Sequence, residues 1–308
     1  MLNYLVNRLF TSIIVVIGVC SIVFLLIHLV PGDPVEVMLG ESASPADRET
    51  LRRQLGLDQP LHRQWLLYLQ DVARLDMGMS IHSRRPVTSL LAERLPATFI
   101  LAVASIVVAV LIAIPAGIMA ALRKNTLYDH VSMTVAMVGV AIPNFWLGPL
   151  LVLLFSFYLG WFPVSGMTGP LSLVLPAVTL GTALAALQSR MIRASLLEVL
   201  GENYIVAARA RGLGEARVVL GHAMRNALLP VTTVLGAQLG ALLTGAVVTE
   251  QIFDWPGLGL LTIEAIQKRD YPVLQGCILL ISIIYVIINL LTDLVYVVLD
   301  PRVRLDNE

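Results

Sequence analysis

Charged side chains are scarce in this chain of 308 residues, because Asp, Glu, Lys and Arg together make up only 14% of it. A soluble domain has about a quarter of its residues charged. The composition therefore excludes an ordinary soluble protein and indicates an integral membrane protein. The 21 basic and 21 acidic residues cancel to a formal net charge of zero, which gives no indication of a nucleic-acid partner.

Cysteines and catalytic motifs are also few or missing. The two cysteines, Cys20 and Cys277, both lie in apolar runs, which favours small buried hydrophobic residues over a disulfide framework or a metal site. The chain has no phosphate-binding Gly-x-x-x-x-Gly-Lys-Ser/Thr loop, no His-Glu-x-x-His and no Gly-x-Ser-x-Gly. We therefore expect no catalytic residue, metal ligand or cofactor site in this chain, so any ATP must be bound elsewhere.

Apolar residues, in contrast, make up 57% of the sequence. A helix needs about 20 mostly apolar residues to cross a bilayer core of about 30 Å. Six stretches qualify as spans, at residues 9–29, 97–122, 131–159, 171–187, 229–249 and 273–299. The sequence thus predicts an all-α integral membrane protein with six transmembrane helices.

Basic residues in the short loops predict the orientation of these spans. One side of the membrane collects most of them, namely Arg8, Arg123, Lys124, the arginines between 190 and 225, Arg302 and Arg304. The loop between Leu159 and Pro170 has no basic residue. The first side is therefore predicted to be cytoplasmic, with both termini on it, in a multi-pass protein of the plasma membrane.

The spans divide the chain into four predicted parts, which are an N-terminal transmembrane helix (1–30), an extracytoplasmic loop (31–95), a five-helix core (96–300) and a cytoplasmic tail (301–308). Pro31-Gly32-Asp33-Pro34 ends the first span with helix breakers. Residues 47–57 and 61–75 show helical spacing and predict two amphipathic helices on the outer surface. Two interpretations stay open for them, a folded lid or a docking surface for an external partner.

A polar, arginine-rich segment, residues 190–228, separates the fourth span from the fifth. Within it, Leu196, Leu200, Tyr204 and Ala208 recur every four residues, as on one helical stripe. Gly212 and Gly214 then break the helix, and a second helical stretch follows at 215–226. The pattern predicts two helices joined by an elbow. The first could lie on anionic lipid headgroups, or could dock a cytoplasmic protein through its small alanines and its arginines.

The order of residues in this segment resembles the cytoplasmic loop of ABC-importer permeases, in the branch that handles peptides, nickel and glutathione. The resemblance rests on Tyr204-Ile205, on Ala208-Arg209-Ala210-Arg211-Gly212-Leu213, and on His222 followed by Arg225-Asn226-Ala227-Leu228-Leu229-Pro230. Arg211 replaces the usual lysine, and Val206 stands where the broader permease signature has glutamate. Short matches in the right order extend the resemblance over nearly the whole chain, including Pro143-Asn144-Phe145-Trp146-Leu147 and Asp300-Pro301-Arg302.

The resemblance implies a heteromeric importer in the bacterial inner membrane. Its other members would be a second homologous permease subunit, two ATP-binding subunits that hold ATP and Mg, and an extracytoplasmic solute-binding protein. The resemblance also implies a coupling helix that contacts an ATPase. The predicted coupling residues are Glu202, Tyr204, Ala207, Ala208, Arg209, Arg211, Gly212 and Leu213.

The segment 250–259 resembles the periplasmic re-entrant loop of the same family. Glu250 ends an apolar run, and a carboxylate at such depth is a functional candidate by default. Trp255 suits a membrane interface, and Pro256-Gly257 predicts a sharp turn. The predicted translocation path or outer gate comprises Asn144, Gln188, Gln238, Glu250, Trp255, Pro256 and Gly257. The alternative is structural, with polar side chains that bond neighbouring helices, an anchoring turn, and Glu250 as a cap near Gly257.

The function predicted first is a permease that carries short peptides. The same machinery could carry nickel chelates, glutathione or another small solute, because different segments resemble dipeptide and nickel permeases. His28 and His222 are predicted on opposite membrane faces, which excludes a shared metal site. Two other classes are a stand-alone secondary transporter, for which the sequence shows no clear repeat, and a membrane enzyme, for which it shows no catalytic constellation.

Overall fold

The computed structural model describes residues 2–29, 35, 44–54 and 58–299, and these form a helical protein. Its helices are α1 Leu2–Leu29, α2 Pro45–Gln54, α3 Leu61–Ala73, α4 Val87–Leu122, α5 Leu127–Ala141, α6 Asn144–Leu151, α7 Val174–Leu200, α8 Asn203–Ala210, α9 Met224–Ile252, α10 Leu258–Lys268 and α11 Tyr271–Leu299. Within the described ranges, the one extended pairing is a bridge between Met79 and Pro86. The predicted breaker at 31–34 and the tail at 301–308 lie outside these ranges.

Among the described residues, five candidate membrane spans are long and apolar enough to cross a bilayer, namely Arg8–Leu25, Val87–Leu122, Pro170–Leu200, Glu215–Gly240 and Tyr271–Leu294. The predicted span at 131–159 is not one continuous helix. Instead α5, and α6 with its π-helical extension Val152–Tyr158, meet at an angle of 103°. Pro143 has no N–H group and disfavours the helical conformation at Ile142, which has φ −80° and ψ 116°.

The chain divides into two compact units, the first of which comprises Met1–Pro96 and Gly257–Val286. In this unit α10 packs against the beginnings of α4 and α11. Its buried core consists of Val87, Leu91, Leu258, Leu261, Ala265, Val273 and Cys277. Cys20 and Cys277 are both buried, as the sequence predicted for small residues in apolar runs.

In the same unit, α3 lies against the end of α1. The indole N–H of Trp65 donates to Ser21 Oγ at 3.0 Å, and the rings of Tyr68 and Phe24 lie 5.8 Å apart. The predicted helix at 61–75 is thus confirmed, although it ends at Ala73. The predicted helix at 47–57 is present as α2, and its last three predicted residues lie outside the described ranges.

The second unit comprises Ala97–Pro256 and Ile287–Glu308, and α4 and α7 approach each other closely within it. A Cβ atom added at Gly181 would lie 2.8 Å from the backbone oxygen of Ser105 and 2.8 Å from Val108 Cβ. A Cβ atom added at Gly117 would lie 2.7 Å from Ile192 Cβ. Glycine is therefore required at these two crossings, as is common where membrane helices pack at short range.

Substitution of Gly181 by alanine should lower the stability of the folded chain by about 1–3 kcal/mol, because the added methyl group overpacks the crossing of α4 and α7. The matched control is Gly18→Ala in α1, where an added Cβ would meet nothing within 4 Å. Alanine is also the better helix former, so the control should melt at the same temperature as the parent or higher. Thermal melting of the purified proteins measures both changes, and equal melting temperatures for the two variants would contradict the packing argument.

Candidate functional site

The short helix α8 is set apart from the long helices on both sides. Gly201 and Glu202 separate it from α7, and Glu202 has extended backbone angles of φ −73° and ψ 145°. After Ala210 the chain turns through Gly212, whose φ of +77° is rarely adopted by residues with a side chain. The next helical segment begins at Glu215 and continues through the π-helical turn Val218–Ala223 into α9.

One face of α8 is fixed to the second unit. Ile205 is fully buried and Ala208 is 8% exposed, in a cluster with Leu196 of α7 and Val218 of the segment that leads to α9. The sequence analysis placed Ala208 on the partner-facing surface, but the side chain points into the chain's own core. Leu213 also packs against this cluster, so these small and apolar residues hold the elbow in place.

The opposite face of α8 is open. Val206 is 57% exposed and Tyr204 is 41% exposed, while Glu202, Ala207, Arg209, Ala210, Arg211 and Gly212 are also exposed. Tyr204 is oriented by Asn226, whose Nδ2 donates to the Tyr204 hydroxyl oxygen at 2.8 Å. The surface is therefore a mixture of apolar, aromatic and cationic groups.

The sequence analysis missed Val206 as a site residue because it appeared only as a departure from the family signature. The sequence nevertheless indicated its position, since Val206 is two residues from Ala208 and therefore lies on a different face of a helix. Leu220, in the π-helical turn, was also missed and is 64% exposed. An apolar residue within a polar segment was the signal that the sequence offered.

The two arginines of the elbow differ in their surroundings. Arg209 forms an ion pair with Glu215, with Nη2 2.5 Å from Oε1 and Nε donating to Oε2 at 3.1 Å. The bond to Glu215 raises the pKa of Arg209 above its ordinary value, so the guanidinium stays charged and braces the turn. Arg211 forms no ion pair with the described residues and is exposed. It is the cation that the elbow leaves available.

A second ion pair joins α5 to α7 near the same end of the second unit. Arg193 donates from Nε to Asp129 Oδ1 at 2.5 Å and from Nη2 to Oδ2 at 2.7 Å. The backbone N–H of Asn125 also donates to Asp129 at 2.9 Å. The Asp129 side chain is 4% exposed and that of Arg193 is 25% exposed. Such a bidentate, mostly buried pair fixes the orientation of two helices.

Glu250 lies fully buried near the end of α9. The hydroxyl of Thr98 donates to Glu250 Oε1 at 2.7 Å, so the carboxylate is bonded to α4. Gly257 itself is the residue that precedes α10, and Pro256 beside it is half-buried.

Trp255 lies in the core of the second unit, and its prediction as a membrane-interface aromatic was wrong. The residue is 1% exposed and packs with Leu101 and Leu180. Its indole N–H donates to the backbone oxygen of Ala97 at 2.8 Å. A buried tryptophan with its polar group satisfied is stable away from water, so amphipathic character did not determine its position.

The polar residues predicted inside the spans do not form one cluster. Gln188 is 2% exposed, and its Nε2 donates to Gln238 Oε1 at 3.0 Å, which joins α7 to α9. Glu250 lies 12 residues after Gln238 in sequence, which is about 18 Å along a helix. Asn144 is half-buried at the first residue of α6, directly after the bend. Among the described residues, no group of His, Cys, Asp and Glu side chains could hold a metal ion.

Comparison with known proteins places this architecture in a family. Residues 113–305 match the binding-protein-dependent transport system inner membrane component, and residues 1–102 match the N-terminal part of such membrane components. Similar curated proteins include the glutathione transport system permease protein GsiC of Escherichia coli K12 and of Shigella dysenteriae serotype 1. Each is 44% identical over 304 residues, which is 99% of this chain and 99% of the relative.

The fold is also similar to a solved structure of the MetNI methionine ABC transporter in an inward-facing conformation. That structure matches with a TM-score of 0.59 at 20% identity, over 68% of this chain and 96% of the solved chain. At this identity the likeness concerns the fold alone. From the family matches, the chain belongs to the binding-protein-dependent transport system inner membrane components, as an ABC-type permease of the dipeptide, oligopeptide and nickel branch.

Proposed function

We propose that this permease forms half of a translocation path for short peptides, and that α8 is the surface on which an ATP-binding subunit docks. Importers of this family combine permeases with ATP-binding subunits and an extracytoplasmic binding protein. In this proposal ATP and Mg are bound by the partner subunits, and the present chain receives the motion that their closure produces. Both termini and α8 would lie on the cytoplasmic side, as the distribution of basic residues predicts.

The observation that carries the docking proposal is the contrast between the two faces of α8. Its inner face is fixed by the buried Ile205 and Ala208, while Val206 on the outer face is 57% exposed. A helix with its inner side chains packed in a core moves with that core, because protein interiors transmit displacement. A force applied to the outer face would therefore reach Leu196 of α7 and Val218 before α9.

The ion pair of Asp129 and Arg193 extends this path to a third helix. Because both guanidinium contacts are 2.7 Å or shorter, a shift of α7 would carry the beginning of α5 with it. The other end of α5 meets α6 at the 103° bend. We thus propose that displacement of α8 changes the angle between α5 and α6. This bent pair would be the element with two arrangements that alternating access requires.

The substrate proposal is a short peptide, and glutathione is the first one to test. Glutathione is a tripeptide, and it is the substrate named for the relatives that match this chain. Gln188 is buried and Gln238 is half-buried. Their amides favour a peptide, since amide groups can donate to and accept from a peptide backbone without adding charge. Nickel chelates stay the alternative within the same machinery.

Reconstitution of the complete importer with its binding protein should give ATP-dependent uptake of radiolabelled glutathione or of a dipeptide into proteoliposomes. Omission of the binding protein, or replacement of ATP by ADP, should abolish that uptake, since transport requires both. Transport of a nickel–histidine complex in the absence of any peptide uptake would contradict the substrate proposal and leave the docking proposal intact.

A further inference from the structure

A cavity of about 620 Å³ lies within the first unit, between α3, the loop 76–84 and the beginning of α11. Its size falls in the range of small-molecule sites. Most of its surface is apolar, and the apolar lining includes Val72, Met77, Ile81, Pro272, Gly276 and Leu279. The polar groups that line it are few, as is usual for a site that binds a largely apolar ligand.

The walls of the cavity place it at the depth of one membrane leaflet. Pro272 and Leu279 stand near the beginning of the candidate span Tyr271–Leu294, and they are about 10 Å apart along the helix axis. On the other side, Trp65 of α3 bonds to Ser21 near the end of the candidate span in α1. The loop charges predict that this leaflet is the extracytoplasmic one. At this depth the cavity would face the lipid of that leaflet.

Tyr68 provides a buried donor without an acceptor. Tyr68 is one of the residues that line the cavity. Its buried hydroxyl makes no hydrogen bond with the described part of the chain, and its ring is held beside Phe24. Burial raises the pKa of Tyr68, so the phenol stays protonated. A buried hydroxyl left unsatisfied costs about 1–3 kcal/mol, which a ligand oxygen at this position would recover.

Charges of both signs surround the mouth of the cavity. Arg84 is exposed and its guanidinium forms no ion pair with the described residues, while Asp71 and Asp76 lie on the same rim. The backbone N–H of Gly78 donates to Asp76 Oδ1 at 3.0 Å, which leaves the second carboxylate oxygen available. Guanidinium groups bind phosphate and carboxylates bind ammonium, so the rim matches a zwitterionic headgroup.

The apolar wall of the cavity continues along α1 and α11. Leu279 lines the cavity and also lies against Val16, Val19, Ser282, Ile283 and Val286, where the two helices leave no room for a further group. A soluble anion would leave the apolar cavity wall unused.

We propose that this cavity binds a phospholipid with an ammonium headgroup, phosphatidylethanolamine. The phosphate is held by Arg84, the ammonium by Asp71 and Asp76, and an ester or phosphate oxygen accepts from the Tyr68 hydroxyl. One acyl chain lies against the apolar wall formed by Val72, Ile81 and Leu279. The bound lipid fills the space between α3 and α11 and thereby stabilises the first unit in the membrane.

The test uses the assembled importer in nanodiscs made of equal parts phosphatidylethanolamine and phosphatidylglycerol. Native mass spectrometry after release from the nanodiscs measures the phosphatidylethanolamine retained by each permease chain. Arg84→Gln should lower retention about tenfold, because it removes the charge that holds the phosphate. The matched control is Arg74→Gln, which removes an exposed arginine from the same region but outside the cavity, and it should retain lipid like the parent.

Tyr68→Phe separates the lipid site from a purely structural role. If the hydroxyl donates to lipid, this variant should lose several-fold in retention. If the hydroxyl merely lacks a partner, its removal should leave retention unchanged and raise the melting temperature, which would overturn the proposal. Equal retention in the Arg84 and Arg74 variants, or equal retention of the two phospholipids, would overturn it as well.

Discussion

Replacement of Val206 by aspartate in the assembled importer should release the ATP-binding subunit from this permease. Val206 is 57% exposed on the open face of α8, where a docked partner would bury it. An unpaired carboxylate in such an interface costs about 3 kcal/mol, which weakens association roughly a hundredfold. Co-purification of the ATP-binding subunit and ATP-driven uptake should therefore both be lost.

The control for this variant is Val206→Ala, which keeps an apolar side chain on the same helix. It should retain most of the co-purification and most of the ATP-driven uptake. Folding is not expected to change in either variant, because Val206 points away from the core that holds Ile205 and Ala208. Membrane insertion and the melting temperature of the isolated permease check this point. Unchanged co-purification and uptake in Val206→Asp would remove α8 from the docking surface.

The second large effect is expected at Asp129. In Asp129→Ala the guanidinium of Arg193 loses both of its hydrogen bonds to the carboxylate, and removal of one partner from a buried ion pair costs about 3–5 kcal/mol. The side chain of Arg193 is 25% exposed, so water recovers part of this loss and we expect the lower end of that range. Thermal melting of the purified permease measures the change.

The exposed pair of Arg85 and Glu93 supplies the comparison for this variant. Their side chains are 47% and 56% exposed, and such an ion pair contributes little to stability because water solvates both charges and salt screens them. Glu93→Ala should therefore melt within a few degrees of the parent. If Asp129→Ala destabilises the chain no more than Glu93→Ala does, the pair between α5 and α7 is not a structural link.

Hydropathy and short-range spacing predicted the all-helical class, and they located most of the long helices. The predicted ends of the helices were less accurate, because a helix can continue through polar turns after its apolar run ends. α7 extends to Leu200, although its apolar run ends near Leu187. The bend at Pro143 has a local cause in the sequence. It was not predicted, because the apolar run over 131–159 continues through the break and was interpreted as one span.

The candidate site depended on contacts that spacing does not specify. The sequence placed Ala208 on the elbow, but only the packed structure shows that it faces Leu196 and Val218. Trp255 has an amphipathic side chain that suits an interface, and yet a backbone oxygen of α4 accepts its N–H inside the core. The partners of Glu250 and Asp129 are likewise distant in sequence, at Thr98 and Arg193.

Family membership replaces the alternative of a stand-alone secondary transporter, because both family models describe membrane components of binding-protein-dependent systems. The branch is thereby assigned, and the substrate is left to the uptake experiment. The docking role of α8 concerns coupling, which is independent of substrate identity. It can therefore be tested in the native complex before the transported solute is known.

Site-specific photo-crosslinking in intact cells tests that role most directly. Benzoylphenylalanine at Val206 should form an adduct with the ATP-binding subunit. The same group at Leu75 should form none, because Leu75 is 71% exposed and lies in the loop predicted to be on the opposite, extracytoplasmic side of the membrane. An adduct with lipid alone at Val206, in a complex that still contains its ATP-binding subunits, would contradict the account and favour a helix that rests on lipid headgroups.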